Sequence, residues 1–337
     1  MILWAGAARN VHNVWSGPQE SPAPIRGGLS ILPFIPGHCA EQREEHMSRT
    51  ETPVNGEASR LICANGAGIP CMGFGTFGMR GLKLRNMLVH ALRAGFRHID
   101  TAQVYGNEDA VGDGVLMSGI ARDDVFLATK VWVENYTQVR FERSVDASLN
   151  ALRTDYVDLL LLHWPGSVVP LEDQIGWLNA LVHAGKVLSI GVSNFNRALL
   201  RHAVELSDIP LATNQFEYHP YLNQASLIAA TRQAEVSVTA YCAMAVGRVF
   251  SETALQTIAR RYGKSVSQIV LRWLLQQEGV VALSRTERQE RIHENLDIFD
   301  FSLEESDMDA IFRLARPGSR IVDPPGLAPL WDPTPRL

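Results

Sequence analysis

An aspartate and a tyrosine, five positions apart, are the first residues that could do chemistry. The segment GFRHIDTAQVYGNE, at 95–108, begins with a short apolar run that predicts a buried strand and then becomes polar. Asp100 stands at the carboxyl end of this strand, and Tyr105 lies in the loop that follows. Barrels of parallel strands carry their reactive groups at these strand ends. The pair is therefore a candidate for acid–base catalysis.

Two further reactive side chains follow at the ends of the next two predicted strands. A phenol with an ordinary pKa of about 10 is a weak proton donor at neutral pH unless a nearby cation stabilises its phenolate. Lys130 ends the apolar run at 125–130 and can supply that cation, and His163 ends the run at 156–163. Alone, each residue is more typical of packing, capping or a solvated strand end. Their joint occurrence at successive strand ends favours a catalytic interpretation.

The order of these four residues resembles the catalytic tetrad of the aldo-keto reductases. The resemblance implies that Tyr105 protonates a carbonyl oxygen while hydride arrives from NADPH. It also implies that Lys130 and Asp100 form an ion pair that lowers the pKa of Tyr105, and that His163 orients the carbonyl. The predicted function is the NADPH-dependent reduction of small aldehydes and ketones to alcohols.

Other parts of the chain match the cofactor-binding positions of the same family. The resemblance implies that residues after later strands bind the nicotinamide carboxamide, namely Ser193, Asn194 and Gln215, and that Tyr241 stacks on the nicotinamide ring. It places on the adenosine side a set of residues from the segment 282–295, namely Arg285, Thr286, Arg291, Glu294 and Asn295. Two arginines suit a 2′-phosphate and favour NADPH over NADH. No GxGxxG fingerprint follows a strand and opens a helix in a βαβ unit, which argues against a Rossmann domain.

Three aromatic residues match the positions that wall the substrate pocket in the family: Phe77, Trp132 and Trp164. The alternative for these residues is barrel packing. The short segment after His163 and the tail RIVDPPGLAPLWD, at 320–332, are most similar to bacterial members of the 2,5-diketo-gluconate reductase B type. The resemblance implies small, polar, activated carbonyl substrates, such as diketo sugar acids and methylglyoxal, and a more open site.

The pattern of apolar segments predicts the fold that positions these residues. Short apolar runs alternate with amphipathic segments, at 71–75, 97–100, 125–129, 157–162, 187–192, 210–215, 236–241 and 279–283. Eight such units predict a closed (β/α)8 TIM barrel. Asn65-Gly66 lies between two apolar runs and predicts a β-hairpin that seals the barrel bottom. An extra helix and a tail are expected after the last strand.

Length and composition agree with one barrel domain, predicted at 60–335. The chain has 337 residues, of which 46% are hydrophobic, and a formal net charge of −5. It lacks a long basic run, which argues against nucleic acid or a membrane surface as partner. Residues 1–46 show no sustained periodicity and are predicted to be a disordered extension, or to precede the true start at Met47. The cysteines show no CxxC or metal-ligand spacing, which fits the cytoplasm. A monomer is expected.

Two other functions fit parts of the same pattern. A metal-dependent barrel hydrolase could use the ligating side chains near strand ends, namely His98, Asp100, His163, Glu217 and His219. Such a metal site does not require the tyrosine–lysine pair, so it is the weaker alternative. The second is a non-catalytic protein on the same fold that senses NADPH, which would bind the cofactor without turnover.

Overall fold

Eight parallel strands close into a barrel, as the sequence predicts. The computed structural model describes residues 60–166 and 168–333, and the statements below concern these residues. After a first hairpin, the barrel strands are β3 (Met72–Gly75), β4 (His98–Asp100), β5 (Phe126–Val131), β6 (Val157–Leu162), β7 (Val187–Ser193), β8 (Leu211–Glu217), β9 (Ser237–Tyr241) and β10 (Val280–Ser284). They pair in chain order, and β10 closes the circle by pairing in parallel with both β9 and β3.

Two strands extend two residues beyond their predicted ends. In β5, Lys130 and Val131 continue the ladder by pairing with β6, and in β8, Phe216 and Glu217 pair with β9. The sequence pattern predicts earlier ends for these two strands because the charged side chains at 130 and 217 are typical of loops. Backbone hydrogen bonding continues through both positions, so the reactive side chains of the site stand on strands.

The β-hairpin seals the amino-terminal end of the barrel. It consists of β1 (Leu61–Ala64) and β2 (Ala67–Pro70), which pair antiparallel. Asn65 and Gly66 have φ of 49° and 83°, the left-handed conformation that tight hairpin turns require. Ile69 packs into a buried apolar cluster with barrel residues of β5, β6, β8 and β10. The Asn65 Nδ2 group donates a hydrogen bond to the Leu211 carbonyl oxygen at 2.8 Å, at the start of β8.

Helices surround the barrel. They are α1 (Gly81–Ala94), α2 (Glu108–Ser118), α3 (Gln138–Leu152), α4 (Leu171–His183), α5 (Arg197–Leu206), α6 (Ala225–Gln233), α7 (Thr253–Tyr262), α8 (Val266–Leu275), α9 (Glu290–Leu296) and α10 (Glu305–Phe312). Their apolar residues recur at three and four positions; in α1, Leu84, Leu88, Ala91 and Leu92 are buried. Short 3-10 segments lie at Gln103–Tyr105, Arg122–Asp124 and Val133–Asn135, and Ala245–Ser251 is 3-10 with a kink at Val246 and Gly247. None of the helices in the described residues is long and apolar enough to span a membrane.

A tail follows the extra helix α10 and returns to the carboxyl ends of the strands. We use "tail" for residues 320–332. Near its start, the backbone N–H groups of Ile321 and Val322 each donate a 2.7 Å hydrogen bond to the Glu217 carboxylate. Near its end, the Leu330 carbonyl oxygen accepts a 2.8 Å hydrogen bond from Asn196 Nδ2, directly before α5. The tail therefore lies on the same end of the barrel as the predicted tetrad.

Some predictions fall on residues that the structure does not describe. Those for residues 1–46, including a true start at Met47, lie outside the described residues and stay predictions. The extent of a single domain at 60–335 also stays a prediction. The same holds for the monomeric state and for the cytoplasmic location.

Candidate active site

A buried ion pair joins two neighbouring strand ends. Asp100 is the last residue of β4, and Lys130 lies near the end of β5. The Lys130 Nζ atom is 2.6 Å from Asp100 Oδ1 and also donates to the Thr101 carbonyl oxygen at 2.7 Å. The exposed fraction is 0% for Lys130 and 2% for Asp100. Charges buried this deeply are found where they are paired, so each side chain holds the other in place.

Tyr105 lies beside this ion pair. A single 3-10 turn carries it out of β4, and Gly106 closes the turn with a φ of 58°. The Lys130 Nζ atom is 5.4 Å from the centroid of the phenol ring. The ring packs edge-on against His163 at a centroid distance of 5.7 Å and against Phe77 at 5.1 Å. The structure thus brings all four residues of the predicted tetrad together.

The surroundings of Tyr105 raise the pKa of its phenol. Burial raises its pKa above the ordinary value, and the negative charge of Asp100 raises it further. Burial lowers the pKa of Lys130, and the charge of Asp100 partly restores it. The direction for Tyr105 is opposite to the lowering that the family resemblance implies. The physical reason is first the burial of the phenol, which disfavours a charged phenolate, and then the negative charge of Asp100.

His163 is a neutral imidazole. Burial, and then the positive charge of Lys130, lower its pKa well below the ordinary value. Its Nδ1 atom is buried without a hydrogen-bond partner among the described residues. A proton on Nδ1 would leave a buried donor unsatisfied, so the tautomer with the proton on Nε2 is favoured. In that tautomer, Nε2 can donate a hydrogen bond to a carbonyl oxygen.

The predicted nicotinamide residues form one hydrogen-bonded network around the tetrad. Asn194 Nδ2 donates to the His163 carbonyl oxygen at 3.0 Å, and its Oδ1 accepts from the Tyr241 hydroxyl at 2.7 Å. Gln215 Nε2 donates to Asp100 Oδ2 at 2.8 Å. The Ser193 hydroxyl donates to the Gln215 carbonyl oxygen at 2.9 Å. The bond between Gln215 and Asp100 was not foreseen, because 115 residues separate the two positions.

On the predicted adenosine side, acidic and basic side chains pair with each other. Arg285 follows β10; its Nε donates to the Phe77 carbonyl oxygen at 2.7 Å, and its Nη2 pairs with Glu287. Glu287 also pairs with Lys83 on α1. The hydrogen bond from Lys83 and the charge of Arg285 lower the pKa of Glu287. A phosphate group at Arg285 would compete with Glu287, a competition that the sequence analysis did not identify.

The remaining adenosine-side residues contact the protein itself. Thr286 is buried two residues after β10, and its hydroxyl oxygen accepts from the Arg288 backbone N–H at 3.1 Å. On α9, the Arg291 guanidinium lies 5.7 Å from the Phe250 ring centroid. Glu294 accepts a hydrogen bond from the hydroxyl of Ser265, the residue that caps α8. Asn295 is buried, with Nδ2 3.5 Å from Ser284 Oγ.

Two of the three predicted pocket aromatics flank the tetrad, and the third is covered. Phe77 is half exposed beside Tyr105, and Trp132 packs edge-on against His163 at a centroid distance of 5.3 Å. Trp164 is only 2% exposed and lies against Trp331 of the tail, with ring centroids 6.4 Å apart. The sequence analysis missed Trp331, because an aromatic residue in an irregular tail has no periodicity that would place it.

The described residues do not provide the metal site of the hydrolase alternative. His98 is fully buried inside the barrel against Phe126, and burial lowers its pKa to about 4. Glu217 is hydrogen-bonded to His219 at 2.9 Å and to the tail backbone. Within residues 60–166 and 168–333, no three histidine, cysteine, aspartate or glutamate side chains form a group that could hold a metal ion.

Comparisons with known proteins agree with this geometry. The model of the aldo/keto reductase family matches residues 71–316. An aldo-keto reductase of Mycobacterium avium (strain 104) is 40% identical over 261 residues, which are 77% of this chain and 90% of the relative. A methylglyoxal reductase, DkgB, of Escherichia coli O157:H7 is 35% identical over 270 residues, 78% of this chain and 99% of the relative.

Solved structures give the same result. One match is the crystal structure of a protein that is provisionally assigned as a 2,5-diketo-D-gluconic acid reductase B. Its TM-score is 0.81 and its sequence identity to this chain is 53%. The match covers 82% of this chain and 98% of that chain. An aldo-keto reductase of Bombyx mori in complex with NADP matches with a TM-score of 0.70 and 30% identity, over 76% of this chain and 92% of that chain. The family resemblance stated from the motifs is therefore confirmed.

Proposed function

Because this chain belongs to the aldo/keto reductase family, we propose that it reduces small aldehydes and ketones to alcohols with NADPH. The observation that carries the proposal is the cluster at the strand ends. A buried ion pair of 2.6 Å, between Lys130 and Asp100, lies beside the Tyr105 phenol and the His163 imidazole. We infer that one carbonyl oxygen could contact both Tyr105, as proton donor, and His163, as hydrogen-bond donor.

In the proposed reaction, Tyr105 gives its proton to the carbonyl oxygen. Bound NADPH would supply the hydride. An oxygen that develops alkoxide character is a stronger base than a phenolate, so a phenol with a raised pKa can still protonate it. Lys130, close to the phenol ring, then stabilises the phenolate that remains. A neutral His163 donates from Nε2 to the same oxygen and fixes the direction of the carbonyl.

The residues around the tetrad fit the proposed cofactor. The Tyr241 ring is only partly buried, and its hydroxyl is held by Asn194, so a flat face is available for a nicotinamide ring. Ser193 and Gln215 supply hydroxyl and amide groups that could bind a carboxamide in place of their present partners. Arg285 and a second arginine on α9, Arg291, supply positive charge for a 2′-phosphate.

For the substrate, we propose small activated carbonyls such as methylglyoxal and diketo sugar acids. The loop between β6 and α4 has eight residues, 163–170, and so leaves little chain to cover the tetrad. Two relatives support the proposal by what they are named: the E. coli methylglyoxal reductase and a glyoxal reductase of Bacillus subtilis (strain 168), 38% identical over 248 residues.

The proposal is tested by following nicotinamide absorbance with NADPH and methylglyoxal near neutral pH, with NADH in parallel. Tyr105→Phe should bind NADPH nearly as well as the unchanged protein but lose at least about 100-fold in kcat, because general acid catalysis typically contributes 10²–10⁴-fold. Tyr156→Phe is the matched control, since its hydroxyl bonds Asp123 at the opposite end of the barrel and its loss should leave kcat unchanged.

Three results would contradict the proposal. Turnover by Tyr105→Phe at the original rate would refute the assigned proton donor. NADPH binding, seen by fluorescence, without turnover of methylglyoxal or of a panel of diketo acids and sugar aldehydes would favour the sensing protein. Loss of activity after removal of metal by a chelator would favour the hydrolase.

A further inference from the structure

One carboxamide joins the turns that carry Tyr105 and Trp132. Gln103 lies two residues before Tyr105, in the 3-10 turn that follows β4. Its Oε1 atom accepts a 3.0 Å hydrogen bond from the Trp132 backbone N–H and a 2.9 Å hydrogen bond from Asn135 Nδ2. Within that second turn, the Asn135 N–H donates to the Trp132 carbonyl oxygen at 2.9 Å. Gln103 thus holds the turn after β5 against the turn after β4.

The other end of the same carboxamide is anchored to helix α3. Gln103 Nε2 donates to Ser144 Oγ at 3.0 Å and to Ser148 Oγ at 3.2 Å. Each serine uses its own proton elsewhere, because Ser144 donates to the Phe141 carbonyl oxygen and Ser148 donates to the Glu108 carboxylate. A hydroxyl has a single proton, so both serine oxygens can only accept from Gln103. The orientation of the amide is therefore determined, and both of its ends are fully hydrogen-bonded.

Both of the joined turns carry a ring that packs edge-on against His163. The centroid distance to His163 is 5.7 Å for the Tyr105 ring and 5.3 Å for the Trp132 ring. In the proposed reaction, the carbonyl group contacts Tyr105 and His163, and Trp132 lies beside them. The relative position of the three rings therefore determines how well the phenol is aligned for proton transfer and how much room the substrate has.

We propose that Gln103 is a positioning residue that fixes the spacing between the Tyr105 phenol and the Trp132 indole around His163. The inference rests on the proposed reductase function and adds a residue that acts on the reaction through two others. A misplacement of about 1 Å can cost about 100-fold in rate. The four hydrogen bonds of the carboxamide, to groups 29–45 positions away along the chain, resist such a misplacement. By holding Trp132, Gln103 also limits the size of the substrate.

The test compares Gln103→Met with the unchanged protein. Methionine has a similar length and no amide, so the four hydrogen bonds are lost without a change in charge. With NADPH and methylglyoxal, kcat should fall by about 10-fold or more. The Kd for NADPH, measured by fluorescence, should stay within about twofold, because a separate network holds the residues proposed to bind the nicotinamide.

A second readout concerns the size of the substrate. Phenylglyoxal carries a phenyl ring where methylglyoxal has a methyl group. In Gln103→Met, the ratio of kcat/KM for methylglyoxal to kcat/KM for phenylglyoxal should fall by at least about 3-fold, because a loosened Trp132 excludes the larger group less well. A loss of stability alone would not change this ratio.

Gln276→Met is the matched control. Gln276 lies between α8 and β10, at the amino-terminal ends of the strands, and bridges to Leu303. Its Nε2 donates to the Leu303 carbonyl oxygen at 2.7 Å, and its Oε1 accepts from the Leu303 N–H at 2.9 Å. Its replacement should lower the melting temperature about as much as Gln103→Met does, but kcat and the ratio should stay within about twofold of the unchanged protein's.

A milder variant keeps the inference testable if Gln103→Met does not fold. Asn135→Ala removes only one of the hydrogen bonds to Gln103 Oε1. It should lower kcat by about 2- to 5-fold and shift the ratio of the two aldehydes in the same direction. If neither quantity changes in this variant, Gln103 does not position the two rings.

Several results with Gln103→Met would overturn the inference. An unchanged kcat would show that the hydrogen bonds do not position Tyr105, although the reductase function would stand. An unchanged ratio would show that they do not hold Trp132. Equal losses of kcat in Gln103→Met and Gln276→Met would assign the effect to general destabilisation. If the unchanged protein reduces neither aldehyde with NADPH, the proposed function itself fails, and the inference fails with it.

Discussion

Replacing Lys130 with methionine should destabilise the protein strongly, and the loss should depend on Asp100. Methionine has a similar length but no charge, so it leaves Asp100 buried with only the hydrogen bond from Gln215. It also removes the donor that the Thr101 carbonyl oxygen accepts from. Breaking a buried ion pair by removing one partner costs about 3–5 kcal/mol. With about 2 °C per kcal/mol for a chain of this size, the melting temperature should fall by about 6–10 °C.

Removing the second charge as well should restore much of this stability. In the double variant Asp100→Asn with Lys130→Met, neither a buried carboxylate nor a buried ammonium remains. The loss in free energy of unfolding, measured by urea denaturation, should therefore be smaller in the double variant than the sum of the losses in the two single variants. The difference should be at least about 1 kcal/mol. Reductase activity should stay low in all three variants, because each lacks a charge that acts on Tyr105.

Two results would refute this reasoning. If Lys130→Met alone costs less than about 1 kcal/mol, the ion pair is not buried in the way that the 2.6 Å contact indicates. If the two single effects simply add in the double variant, the side chains do not interact. Either result would also weaken the proposed catalytic role of Lys130, since that role depends on the same geometry.

Further predictions concern the adenosine side and the barrel interior. Glu287→Gln removes the carboxylate that pairs with Arg285 and Lys83. In fluorescence titrations, this variant should bind NADPH about 2- to 5-fold more tightly, and its affinity for NADH should be unchanged. Glu290→Gln is the control, and equal effects of both variants would contradict the proposal. In the barrel interior, burial lowers the pKa of His98 to about 4, whereas an unfolded histidine titrates near 6.5. Below about pH 6.5, the unfolded state therefore binds more protons at this residue than the folded state does. The free energy of unfolding should therefore fall as pH drops from about 6.5 towards 4, and this fall should be smaller in His98→Phe. The same pH dependence in both proteins would show that His98 does not cause the loss of stability.

The sequence predicts the barrel because its signals are local. Each buried strand is a short apolar run, as in the four leucines of β6, and the Asn65-Gly66 turn needs only two adjacent residues. The tetrad could be predicted for the same reason, since parallel strands bring their carboxyl ends to one side of the barrel. A resemblance to a known family then assigned a role to each residue.

What the sequence did not predict depends on contacts between distant segments. Glu287 reaches Lys83 across 204 positions, and Arg320 meets Trp331 only because the tail folds back. Neither contact has a periodic pattern. The direction of the pKa shift of Tyr105 also depends on how deeply the phenol is buried and how close Asp100 lies, and spacing along the chain contains neither quantity.

One carboxylate connects the tail to the strand ends that carry the tetrad. Glu217 ends β8 and holds the backbone of Ile321 and Val322, directly after Arg320. Its neighbour along the sheet, Tyr241, is hydrogen-bonded to Asn194 in the network around the tetrad. The tail and the network around the tetrad are therefore both attached to the ends of the neighbouring strands β8 and β9.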